Sequence, residues 1–234
     1  MGAEFPYLYK SSGELEIVTW ADGTYEQLKA MLDAHDAGVI NIYDYWSVGD
    51  EREVSLLFTT PLTVTMVLMN EGYLNINGIH FVVGQKDCLP GKRKHNYSSA
   101  ATTWMNSAIR TYLNDSYWKA IPSGLLWMIK PFTLPYPSSG AVTDYVSLFA
   151  EKEIFGERTY SPTAEASGLS QIEYYETPSH RIKSVSGTAS VWWTRSMPHS
   201  STSKSACSVT AAGETNPTKS LVTNTFGVAP FFCI

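Results

Sequence analysis

The chain has 234 residues, 44% of them hydrophobic and only 17% charged, with a net charge of −5. That length holds one large domain or two small ones, and an acidic balance without a basic stripe argues against a nucleic-acid partner. Seven Trp, fourteen Tyr and nine Phe among many Ser and Thr suit short strands and ordered loops better than a helical bundle. The start, MGAEFPYLYK, has no basic run followed by an apolar one, so no secretory signal is visible. The longest apolar stretch, 62–69, is too short to span a bilayer, and a soluble product without membrane insertion is expected.

Residues 15–20 are a short strand candidate. The clearest helix lies in 21–38: Thr24 and Gln27 have capping-box spacing, and Gly38 suits the residue after the helix end. Leu28, Met31 and Leu32 give it one apolar stripe. Residues 40–86 read as a three-stranded meander, with Val54, Leu56 and Phe58 alternating with polar residues and an Asn77-Gly78 hairpin turn before the last strand. The basic run GKRKH (91–95) reads as a solvated loop tip. Helical spacing returns at 98–122, interrupted at Asn114-Asp115 and ended by Pro122. Residues 143–156 hold a short strand and a helical turn, and 157–183 form a long loop with a helical patch at 168–176. Strands at 190–196, 207–213 and 226–234, separated by two polar loops, complete the chain.

An odd set of widely spaced cysteines, Cys88, Cys207 and Cys233, supplies neither a disulfide framework nor a zinc pattern, and reads as buried free thiols. Asp144, Glu151 and Glu153 are read as a solvated acidic face, so no metal and no other cofactor is expected. Ser196 and Ser200 flank His199, but neighbours in sequence rarely form a nucleophile–base pair without a third orienting acid. No catalytic residue is assigned.

The ordered segments YDYWSVGDEREVSL, FVVGQKDCL, TTWMNSAIRTYLN, YWKAIPSGL, DYVSLFAEKEIFG, YY…RIK (174–183), WWTRS and GVAPFFCI resemble a family of domains of unknown function. Such domains occur in phages, prophages and surface proteins of Gram-positive bacteria. The ending W-W-x-R-S…G-V-x-P is also similar to C-type-lectin-like folds, including the formylglycine-generating branch; Ala229 stands where that pattern carries arginine. The resemblance implies an α+β, C-type-lectin-like fold of short twisted antiparallel sheets, two main helices and long ordered loops. It implies an N-terminal attachment segment over 1–39 and a lectin-like domain over 40–234. It also implies a non-enzymatic bacteriophage virion protein, made in the host cytoplasm and homo-oligomeric. Its partners would be other virion proteins through the N-terminal region and a host-surface glycan or protein through the loops. The alternatives are a capsid, collar or tail decoration protein without receptor binding and, more weakly, a formylglycine-generating-like enzyme using Cys207 and Cys233.

Candidate binding residues follow from large rings beside adaptable hydroxyls, a pairing that serves recognition. They are Trp193, Arg195, Ser196, His199, Ser200, Ser201, Thr202 and Ser203, then Asn216 and Thr218, with Tyr174 and Tyr175 as a further aromatic pair. On a strand Trp192 and Trp193 point to opposite faces, so one ring enters the core while Trp193 is free to lie at the surface. Arg195 has two readings: buried against loop carbonyls, or part of the contact surface. Core packing competes with sugar stacking for Tyr174 and Tyr175.

Overall fold

A computed structural model describes residues 15–134, 142–198, 204–215 and 219–234. Helix α1 (Tyr25–Asp36) opens on the predicted cap: Thr24 Oγ1 accepts the Gln27 N–H, and the Gln27 side chain accepts the Thr24 N–H. Leu28, Met31 and Leu32 form its buried stripe. Strands β1 (Glu51–Leu56), β2 (Leu62–Glu71) and β3 (Phe81–Gln85) pair antiparallel in sequence order, as the alternation predicts. The β2–β3 connection is not a two-residue hairpin. Pairing stops at Glu71 and Phe81, because Tyr73 and Ile79 in the connection turn into the core. Asn77-Gly78 instead makes a turn closed by the Ile79 N–H donating to the Ile76 carbonyl, with Gly78 at φ +80°.

The GKRKH run is a solvated tip only in part: Gly91, Lys92 and Lys94 are exposed, but the rest is held by structure. Arg93–Lys94 form strand β4, and His95 is wholly buried. Helix α2 (Ala108–Tyr112), capped by Ser107, passes through a π-turn at Leu113–Tyr117 into α3 (Trp118–Ala120). The expected interruption at Asn114 is thus one widened turn. Its cause is the Asn114 side chain, which donates to the Arg110 and Val146 carbonyls and accepts the N–H groups of Tyr145 and Val146. Helix α4 (Ser123–Leu126) follows, then the pair β5 (Phe132–Leu134) and β6 (Val142–Asp144), and α5 (Glu151–Phe155). The remainder is built of short strands: β7 (Ser184–Val185), β8 (Thr188–Ala189), β9 (Trp192–Trp193), β10 (Ser205–Ala206), β11 (Ser208–Val209), β12 (Ser220–Leu221), β13 (Thr225–Phe226) and β14 (Phe231–Cys233). The architecture is α+β, with short antiparallel sheets and few helices.

The main sheet has the order β1-β2-β3-β14. Period-2 alternation sends its side chains to two separate cores. Leu56, Met66, Leu68, Phe81, Val83 and Phe232 face α1, Trp20, Trp46 and the α2–α3 segment. Val67, Met69, Val82, Phe231 and Cys233 face Phe149, Ile154, Tyr175 and Trp192. Phe231 stacks between Phe149 and Phe132, with ring centroids 4.3 and 5.2 Å away. Because α1 shares a core with the sheet, the expected boundary at 39/40 is not a break in packing. No helix among the described residues is long and apolar enough to cross a membrane.

Helices α1 and α4 approach closely at Gly124, where an added Cβ would lie 2.7 Å from Tyr25 Cβ. That atom belongs to the stem of Tyr25 and cannot rotate away. Gly124→Ala is therefore expected to destabilise the fold by about 1–3 kcal/mol, measured by urea denaturation. An unchanged midpoint would mean that the two helices separate without cost.

Candidate functional site

Strand β9 pairs with β11, Trp193 opposite Ser208 and Trp192 opposite Val209. The two rings do diverge, but Trp193 is not at the surface. Each enters a different core, and both are fully buried. A buried indole N–H needs an acceptor: Trp192 Nε1 donates to the Arg181 carbonyl at 3.0 Å, and Trp193 Nε1 to the Arg93 carbonyl at 2.8 Å.

Arg195 is buried too, which corrects its assignment to a contact surface. Its Nη1 donates to the Leu148 carbonyl (2.8 Å) and to Glu153 Oε2 (2.6 Å), and its backbone N–H to the Phe149 carbonyl. Glu153 also accepts the Tyr73 hydroxyl at 2.5 Å and caps α5 through the Ala150 N–H at 2.6 Å. Burial alone would favour a neutral guanidine; the Glu153 carboxylate overrides it and holds Arg195 above its ordinary value. Ser196 is buried as well: its Oγ accepts the Glu151 N–H and donates to Glu165 Oε1 at 3.0 Å. Burial pushes the Glu165 carboxyl up to about 7, against the opposing pull of Arg195 and Ser196.

The acidic face expected of Asp144, Glu151 and Glu153 does not exist; all three are buried. Each has its own donors. Asp144 meets Arg110 and the Trp104 indole N–H, Glu151 accepts the N–H groups of Tyr160 and Ser161, and Glu153 holds Arg195. Tyr174 and Tyr175 are likewise interior and offer no surface for a sugar. Tyr174 stacks on His180 with centroids 4.0 Å apart, and Tyr175 meets Phe149 edge-on.

One half-buried cation, one buried cation and one buried imidazole carry little signal in the sequence. Arg110 is the partner of Asp144. Lys183 is wholly buried, with Nζ donating to the Gln85 and Lys86 carbonyls at 2.7 and 2.8 Å and lying 5.5 Å from the Tyr175 and Trp192 rings. Burial brings it down to about 8. His95 packs edge-on against Trp104 and Trp193. Burial takes it down to about 3, against a smaller opposing effect of the Thr194 backbone. Only the RIK segment and the His95 position in GKRKH hinted at the last two, and neither carries a local partner pattern.

His199, Ser200, Ser201, Thr202, Ser203, Asn216 and Thr218 lie outside the described residues. Their flanks do not: β10 pairs with β12, Ser205 opposite Leu221 and Ala206 opposite Ser220. The chain leaving 199–203 and the chain leaving 216–218 therefore meet side by side. The three cysteines are free and buried, as read from sequence. Burial pushes the Cys88 thiol up to about 12 and raises Cys207 and Cys233, which keeps all three protonated near neutral pH. Ala229 is buried among apolar neighbours in the second core, where an arginine would need a counter-charge.

Residues 65–234 match the family described as a domain of unknown function, DUF6273, and the chain belongs to that family. No curated protein and no solved structure matches it.

Glu153→Gln leaves the Arg195 charge buried without its counterion. It is expected to cost about 3–5 kcal/mol, read from chemical denaturation; a loss below about 1 kcal/mol would show that water reaches the pair. A pH dependence follows from His95. Between about 6.5 and 3 the unfolded chain binds a proton there and the folded chain does not, so stability falls as pH drops through that window. His95→Phe should flatten this acid limb, by as much as roughly 4–5 kcal/mol at its foot. Identical limbs in the two proteins would contradict a buried neutral imidazole.

Proposed function

We propose that this chain is a non-catalytic bacteriophage virion protein. Its C-type-lectin-like domain presents the polar segments 199–203 and 216–218 to a host-surface glycan or protein. The β10–β12 pair carries this reading, because it brings the roots of both polar segments to one place. Behind those roots, Trp192, Trp193 and Arg195 are locked by hydrogen bonds to three different parts of the chain, so the base does not yield when the segments engage. A rigid scaffold under polar segments is an economical design for recognition, since little order must be created on binding.

The α+β arrangement, with the W-W-x-R-S segment buried behind the last strand, supports the lectin-like comparison. Buried thiols with raised pKa favour contact over thiol chemistry at Cys207 and Cys233. The Glu153–Arg195 pair has its carboxylate engaged in capping and ion pairing rather than open to a substrate. Attachment to other virion proteins is assigned to the N-terminal end, and a homo-oligomer would multiply weak loop contacts.

The test is retention of labelled protein on Gram-positive cell walls. Replacing Ser200, Ser201, Thr202 and Ser203 together by Ala should weaken retention about ten-fold or more, a loss of about 1.4 kcal/mol, with the melting temperature unmoved. Equal retention of the variant, or incorporation into particles without any cell-wall binding, would replace receptor contact by decoration.

A further inference from the structure

On another part of the surface, β4 and the π-turn enclose an open groove of about 630 Å³, lined by Phe58, Arg93, Tyr97, Tyr112, Asp115 and Ser116. We propose that this groove binds an acidic glycan, a pyranose ring stacked on Tyr97 with its carboxylate or phosphate on the Arg93 guanidinium. The site goes beyond the loop reading above and shares no contact residue with it.

Three aromatic side chains converge there, and each has a distinct setting. Tyr97 is 76% exposed, the highest exposure among the large hydrophobic residues described. Its neighbour Asn96 is tied down by its N–H donating to the Val222 carbonyl at 2.8 Å, and His95 behind it is buried. Phe58 is half-buried against the Tyr117 ring. Tyr112 lies under the Arg93 guanidinium, 3.7 Å from ring centroid to Cζ. Aromatic faces held in a concavity give a flat apolar wall for the C–H face of a sugar at small entropic cost.

The charge pattern selects an acidic ligand. Arg93 has no carboxylate partner among the described residues, and its Nε is buried without a hydrogen-bond partner. Its position is fixed by the β4–β13 pairing and by Trp193 Nε1 on its carbonyl. A planar guanidinium fixed against a ring and lacking an acid suits a carboxylate or phosphate oxygen pair. Asp115, also in the lining, is ion-paired to Lys119 rather than to Arg93, and Asp115 and Ser116 remain able to accept or exchange sugar hydroxyls. Both residues stand in the π-turn, a distortion that frequently marks functional sites because it re-aims side chains. A nucleic-acid strand would also stack, but it brings a phosphate at every step, and a single guanidinium does not neutralise such a series.

Calorimetric titration decides the matter with five probes. These are a glucuronic-acid oligosaccharide, its neutral glucose counterpart, a hexose phosphate, inorganic phosphate and a short single-stranded oligonucleotide. At least one acidic sugar should bind; the neutral oligosaccharide should bind about five-fold or more weakly than it, by roughly 1 kcal/mol, and inorganic phosphate not measurably. Whichever of the two acidic sugars binds tells carboxylate from phosphate. Tyr97→Ala and Arg93→Gln should each weaken that binding about ten-fold, whereas Arg93→Lys should lie between. The Ser200–Ser203 alanine variant should bind as wild type, separating this groove from the loops. Failure of both acidic sugars to bind, equal affinity in Tyr97→Ala and Arg93→Gln, or tightest binding of the oligonucleotide would overturn the proposal.

Discussion

A guanidinium taken out of water must be met by an acceptor, and the way Arg195 is met organises the molecule. Its partner Glu153 does three things at once: it neutralises Arg195, caps α5 and takes the Tyr73 hydroxyl. One carboxylate therefore ties the β2–β3 connection, the start of α5 and the chain after β9 to a single point. The cost of removing either member of such a pair lies in the charge left behind rather than in the attraction lost. That asymmetry explains why the surrounding carboxylates have matched donors: the Ser196 hydroxyl donates to Glu165, and the backbone N–H groups at 160–161 donate to Glu151.

What could be read in the sequence was local. The Thr24–Gln27 cap and the stripe of α1 need only neighbours within a few turns, and the alternation through β1 needs only one strand. The acidic residues show the limit. Asp144, Glu151 and Glu153 look like a charged cluster because their partners, Arg110, Ser161 and Arg195, come from other segments. Trp193 was open to a surface role because strand periodicity says which ring opposes which, but not whether a second layer covers each face. Here both faces are covered. Asn114 was legible as an irregularity and not as a π-turn, because the distortion depends on carbonyl and N–H groups at Tyr145 and Val146.

The two adjacent tryptophans connect the features assigned to recognition. Trp192 fixes the chain at Arg181, and Trp193 fixes β4 through Arg93. Beside Trp193 lie Phe226 of β13 and the His95 ring, so the strand that carries Arg93 rests on a layer of aromatic groups. The same pair precedes the 199–203 segment. A change at Trp193 would therefore be felt in both places, although neither ring meets solvent.

The main sheet sets an order of events during folding. Strand β14 lies beside β3, with Phe231 opposite Gly84, and the Ile234 carbonyl accepts the N–H groups of both His80 and Phe81. Strands β1 to β3 can pair as soon as they are made, but their second core lacks Phe231 until residue 231 has left the ribosome. Closing so large a loop is slow, because its entropy is lost before the contacts repay it. Until then the half-built sheet keeps one greasy face without its last cover, the kind of exposed apolar surface on which chains associate.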